Sequence, residues 1–165
     1  MRWIVRATLA LGAFTLSGCY GPMSIYQPID LSRKDQSIKL PVEVHRRDYY
    51  TVSLGFAWNG SIEAINAIVD TVDGADRQGG IPVKVRLLMT KDSKVFFNEV
   101  FLTSNVTERH FVNHAGSQKV IGIRKLKNFI LEPGIYIVEI RTVEDVPVLK
   151  GFDVLLAFYS DHVKI

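Results

Sequence analysis

The 165-residue sequence predicts an all-β fold with one short helix, an antiparallel Greek-key β-sandwich of about seven strands, immunoglobulin-like or C2-like. Three observations carry this. After residue 37 apolar and polar residues alternate in run after run, the period of two that marks strands with one buried face. Clusters of Gly, Pro, Asp and Ser separate these runs, as turns require. Only one stretch, 61–72, has helical spacing. Alternation alone does not distinguish a sandwich from a closed barrel, so local turn chemistry has to weigh in.

The chain begins with a separate element. Arg2 and Arg6 precede an uncharged run from Ala7 to Leu16. That run has the length of a signal h-region and is too short to span a bilayer, which takes roughly 20 apolar residues. Leu16-Ser17-Gly18-Cys19 follows and holds the single cysteine of the chain. It resembles the lipobox of bacterial lipoproteins, which implies cleavage before Cys19 and lipidation of its thiol. The expected division is a signal peptide over 1–18, a lipidated N-terminus and tether over 19–36, and a sandwich domain over 37–165. Ile25, Tyr26 and Ile29 are the tether residues able to dock. The resemblance also implies sorting: Tyr20, rather than aspartate, follows the cysteine, so the expected location is the outer membrane, with the domain in the periplasm.

Without Arg2 and Arg6, 18 basic residues face 17 acidic ones, a net charge of +1. That argues against a nucleic-acid partner, which calls for a basic domain. The remaining 147 residues suffice for one domain with its own core, without disulfide staples.

The elements follow in order. Ile38 to Val44 alternates, and Pro41, unable to donate to a ladder, places it at a sheet edge. Tyr50, Val52, Leu54, Phe56 and Trp58 form the buried stripe of the clearest strand. Ser61 caps the helix, with Ile62, Ile65, Ile68, Val69 and Val72 on its apolar side. Residues 73–80 form a loop. Ile81 to Met89 alternates against Lys84 and Arg86. Val95 to Leu102 follows a turn at Asp92-Ser93, and its adjacent Phe96 and Phe97 point to a bulge or to burial on both faces. Residues 103–116 read as a loop, with a short strand near Phe111 as the alternative. Val120 to Leu131 slips register around Arg124-Lys125, as one bent strand or two. Ile135 to Thr142 and Gly151 to Tyr159 complete the set.

Leu131-Glu132-Pro133-Gly134-Ile135-Tyr136 resembles the tyrosine corner of immunoglobulin-like and fibronectin-like domains, where a buried tyrosine hydroxyl bonds to upstream backbone. This favours the sandwich over the barrel. With the lipobox and Val146 to Phe152, the chain also resembles small proteobacterial lipoproteins that have no assigned activity. Ile81 to Phe101 is similar to the sandwich lipoprotein that tethers type VI secretion complexes to the outer membrane.

Candidate chemistry is sparse. His110 and His114 lack the glutamate of a zinc-protease helix, and on a strand they stand roughly 13 Å apart, too far to share an ion. Asp70, Asp73 and Asp76 do not have the spacing of a calcium loop. No nucleophile elbow and no glycine-rich phosphate loop occurs. The expectation is therefore no catalytic, cofactor or metal site, and a protein that binds rather than turns over. Its partners are the membrane, through Cys19, and a protein. The most concrete form is an immunity-type protein that neutralises an antibacterial effector. The alternatives are a tether or accessory subunit of an envelope or type VI secretion complex, and an envelope hydrolase. Glu63, Asp70, Asp73 and Asp76 are the expected partner-binding group, an acidic patch for a basic cleft. Arg46, Arg47, Lys119, Arg124, Lys125 and Lys127 are expected on solvated strand faces.

Overall fold

The computed structural model describes residues 23–58, 66, 69–74, 79–114 and 117–160. Nine strands occur among them: β1 (Ser24–Pro28), β2 (Ser37–Val44), β3 (Asp48–Trp58), β4 (Val83–Lys91), β5 (Lys94–Thr103), β6 (Glu108–His114), β7 (Ser117–Leu131), β8 (Gly134–Thr142) and β9 (Asp153–Ser160). They form a five-stranded sheet in the order β1-β9-β3-β7-β6 and a four-stranded sheet in the order β2-β8-β4-β5, with every pairing antiparallel. Only β4–β5 and β6–β7 are hairpins between neighbours, and every other connection crosses between the sheets. This interleaving is the expected Greek-key sandwich.

Two strands exceed the expected seven. One comes from the segment read as a tether. Ile25 to Pro28 pairs with β9, Ile29 N–H bonds Val154 O at 2.9 Å, and Ile29 and Leu31 are buried. The sheets therefore include residues ahead of position 37, from Ser24 onward. Five residues with weak periodicity form a strand here because β9 offers them an open edge. The other is β6, in the stretch read chiefly as a loop, which is held by seven register pairs with β7.

The alternating stripes meet in one core. Val52, Leu54 and Phe56 of β3 pack with Val85, Leu87 and Met89 of β4, Val138 and Ile140 of β8, and Leu156 and Phe158 of β9. The strands β3 and β9 are buried on both faces. Ala57, Ile121, Ile123 and Leu155 make a second, smaller cluster on the far side of the five-stranded sheet. Trp58, expected in the core, is only half-buried at the end of β3.

Both register irregularities are β-bulges. Met89 pairs with Phe97 and Thr90 with Val95, so Phe96 is the extra residue in β5. Val52 pairs with Lys127 and Ser53 with Lys125, so Leu126 is extra in β7, which is one bent strand. The β5 bulge turns two consecutive phenylalanines to the same side. Phe96 and Phe97 both reach Phe129, with ring centroids 6.1 and 5.0 Å away.

Two tyrosine corners close one end of the sandwich. Tyr136 donates from its hydroxyl to Glu132 O at 2.9 Å, as the sequence predicts. Tyr50 does the same to Arg46 O at 3.1 Å, again four residues upstream. Burial pushes the Tyr50 hydroxyl pKa up. The expected Ser61 cap lies outside the described residues. The helical segment is described at Asn66 and Val69 and ends in a π-helical turn, Asp70–Gly74, which buries Val72.

Candidate functional site

The expected acidic group does not come together as a free surface. Glu63 and Asp76 lie outside the described residues, as does Cys19. Asp70 is exposed on the π-helical turn, but Asp73 turns inward and accepts from Arg109 at 2.6 Å. An aspartate already neutralised by Arg109 has little charge to offer a partner. Arg109 also lies over the Trp58 ring, 5.1 Å from its centroid.

Arg124 corrects a second expectation. Instead of lying on a solvated face it is fully buried, with its guanidinium 4.7 Å from the Phe56 ring centroid. Nη1 donates to Ile81 O at 2.8 Å and Thr103 O at 3.2 Å, and Nη2 donates to Val72 O. One side chain thus ties three connections to the sheet: the π-helical turn, the lead into β4 and the exit from β5. Burial holds its pKa down at about 10, with nearby Asp73 acting in the other direction. A cation in this position is possible because a guanidinium presents five donors in a planar fork and stacks on aromatic rings. Gly80 completes the arrangement: a Cβ there would lie 1.7 Å from Val72 O.

The other basic residues stay near the surface, mostly in pairs. Arg46 meets Asp48 at 2.9 Å, Arg47 meets Glu132 at 2.7 Å, and Lys119 meets Asp153 at 2.9 Å. Lys125 pairs with Glu108, which also bonds His110 Nε2 at 2.9 Å. Burial opposes ionisation of Glu108, but Lys125 and His110 outweigh it and bring the carboxyl below its usual range. His114 is on β6, its side chain outside the described part. Among the described residues no three His, Cys, Asp or Glu side chains are grouped to hold a metal ion.

The exposed surfaces of the four-stranded sheet are the better candidates. Among the described residues its edge strand β5, ten residues long, pairs only with β4, and alternate residues present unpaired backbone groups on its other side. Leu102 is 69% exposed, Val95 66%, Phe96 47% and Val100 45%. Native sheets usually blunt such an edge with charge, a bulge, proline or a cover, because it is a template for another strand; here the Phe96 bulge and Glu99 interrupt the first part of β5 and leave Val100 to Thr103 regular. The VFFNEVFL run carried a signal, apolar residues on both faces, but nothing in it said that the strand would be an edge. The lower part of the sheet's outer face carries Lys39, Lys84, Arg86 and Arg141, the residues that alternate with the buried stripes. At the far end of the molecule, Asp30, Arg33, Asp145 and Lys150 line a wider cleft of about 570 Å³, but its charges are mixed and Arg33 already pairs with Asp30.

Fold and surfaces together define a two-sheet antiparallel sandwich domain with an open apolar edge and a basic face. Residues 26–160 match the family model described as "Domain of unknown function (DUF5625)", and the chain belongs to that family. The match begins inside β1, which agrees with β1 being part of the fold. No curated protein matches the sequence. Among solved structures, one titled "Crystal Structure of GEBA250068378 from Sulfurospirillum deleyianum" is similar over 86% of this chain and 99% of that one. The TM-score is 0.60 at 17% sequence identity, a likeness of fold.

Proposed function

We propose that this protein is a lipid-anchored lipoprotein of the outer membrane that acts in the periplasm by binding a protein partner, in the manner of an immunity protein neutralising an antibacterial effector. The observation that carries the reading is the open edge of β5. Strand addition to such an edge draws affinity from main-chain hydrogen bonds and specificity from alternate side chains. Here Val100 and Leu102 on one face, and Phe97 and Phe101 towards the core, would flank the incoming strand. The leader supports the location. Only three residues separate Cys19 from Met23, so an acylated cysteine would hold the domain within about 14 Å of the membrane.

Two measurements test this. Cys19→Ser is expected to leave an unacylated form that no longer fractionates with the outer membrane; unchanged attachment removes the lipoprotein reading. Affinity capture from envelope extracts is expected to recover a protein partner, and Leu102→Lys, which places a charge on the edge, is expected to lose it. A purified domain that hydrolyses peptidoglycan, lipid or peptide, with no partner recovered, would replace binding by catalysis.

A further inference from the structure

Charge is segregated on this protein. The lower half of the four-stranded sheet's outer face gathers Lys39 from β2, Lys84 and Arg86 from β4, and Arg141 from β8, with Lys34 beside them in the loop before β2. Asp35 and Glu139 are the acids there, and Asp145 accepts from the Lys34 backbone N–H at 2.7 Å, so the region carries a net +2 while residues 19–165 as a whole carry +1. The rest of the mature chain is therefore net acidic. Glu139 is nearly buried and already engaged: it accepts from Arg141 at 3.2 Å and pairs with Lys39 at 3.4 Å. Arg86 and Lys84 have no carboxylate partner among the described residues.

The central observation is the cross-strand pair. Arg86 and Arg141 are register partners in the β4–β8 ladder, on the same face. Like charges directly opposite one another destabilise a sheet, and only one of the two has an acid to relieve it. Beside them lies an open cleft of about 290 Å³, lined by Lys34, Asp35, Arg86, Val100, Arg141 and Thr142.

We infer that this cleft binds a phosphoryl group carried as a dianion. Two guanidinium forks reach it from adjacent strands, the geometry that suits bidentate hydrogen bonding to phosphate oxygens. Lys34, Arg86 and Arg141 oppose Asp35 in the cleft lining, and Glu139 is shared between Arg141 and Lys39, so a net positive charge faces the cleft and the two forks favour a phosphoryl group over a single carboxylate. The ligand relieves the repulsion between Arg86 and Arg141, so the cost of setting them opposite is recovered on binding. The site also lies away from the chain's point of entry. Met23 N–H bonds Ser160 at the end of the sandwich where β2 finishes and β8 begins. Arg141 stands seven residues along β8 from Gly134, about 23 Å down the strand. The inference is independent of strand addition at β5.

Calorimetric titration of the purified full chain tests it, with inorganic phosphate as the probe. Saturable binding that weakens as salt rises is expected. Arg86→Gln and Arg141→Gln should each weaken it about tenfold or more, the loss of one charge-assisted bond, while Arg47→Gln at the opposite end leaves it unchanged. Arg86→Lys, which keeps charge and loses the fork, should fall between, and guards against misfolding in the glutamine variants. Soluble dihexanoyl phosphatidic acid separates the sources: tighter binding than phosphate assigns a lipid headgroup, equal binding a free phosphoryl ligand. The proposal is overturned by no phosphate binding, by glutamine variants that bind as the native chain does, or by acetate binding as tightly as phosphate.

Discussion

Arg124→Met replaces a buried cation by an apolar side chain of similar length, and the structure sets the size of the effect. Three hydrogen bonds from a charged donor are worth about 1.5–3 kcal/mol each, so together about 4–9 kcal/mol. Against this stands desolvation of the guanidinium. A guanidinium pKa brought down to about 10 by burial corresponds to about 3 kcal/mol at about 1.4 kcal/mol per unit. The difference leaves Arg124 net stabilising, and Arg124→Met should cost about 3 kcal/mol. Methionine still packs on Phe56, so most of the loss is attributable to Val72, Ile81 and Thr103 carbonyls left without donors. Urea unfolding followed by circular dichroism measures the total. Hydrogen exchange locates it, since residues 69–74, 79–82 and the end of β5 should lose protection before the sheets do. Arg124→Lys should fall short of the native protein, because one ammonium does not span three separated carbonyls as the fork does. Loss of under about 0.5 kcal/mol for Met, or full stability for Lys, would refute the anchoring role. The pH dependence has a definite sign: the folded pKa is lowered, so the cost of burying charge lessens as pH rises above about 10.

Other consequences are smaller. Tyr50→Phe and Tyr136→Phe should each cost about 1–3 kcal/mol in urea melts, because each strands a carbonyl acceptor, of Arg46 and Glu132 respectively; a neutral result at either position would mean that its corner bond is not structural. Arg86→Glu should raise stability by about 0.5 kcal/mol by turning a like-charge pair with Arg141 into an opposite one, while abolishing phosphate binding; a fall in stability would show that the two side chains do not interact. Glu108 should contribute to acid sensitivity. Its folded-state pKa lies below the unfolded value, so its contribution is present above the ordinary carboxylate range and is lost as pH falls through the folded value. Glu108→Gln should flatten the acid limb of a stability-against-pH curve, and an unchanged limb would place the effect elsewhere.

Much of this architecture was legible in one dimension. Period-two runs marked β2, β3 and β4 because each has a face committed to the core, while β8 and β9 showed as apolar runs bounded by turn residues. The adjacent Phe96 and Phe97 announced a bulge, and Glu132-Pro133-Gly134-Ile135-Tyr136 announced a corner, because both depend on neighbours in sequence. The second corner at Tyr50 went unread: its hydroxyl also bonds four residues upstream, but no Pro-Gly turn advertises it. The strand β1 was equally silent, since its ordering comes from β9, about 130 residues away.

What the order of residues determined by itself is the set of inward faces and the class of fold, because alternation is a local record of which side meets water. Partnership between strands distant in the chain decided the rest. Asp73 looked like a free acid and Arg124 like a surface cation until the folded sheet brought Arg109 to one, and the carbonyls of residues 72, 81 and 103 to the other. Arg86 and Arg141 are 55 positions apart, and only the β4–β8 register makes them neighbours. The strand β5 became an edge only when the sheet order ended with it. Burial of a charge, opposition of two arginines and openness of an edge are all properties of pairing across long loops, and pairing at that range is fixed by how the whole core closes.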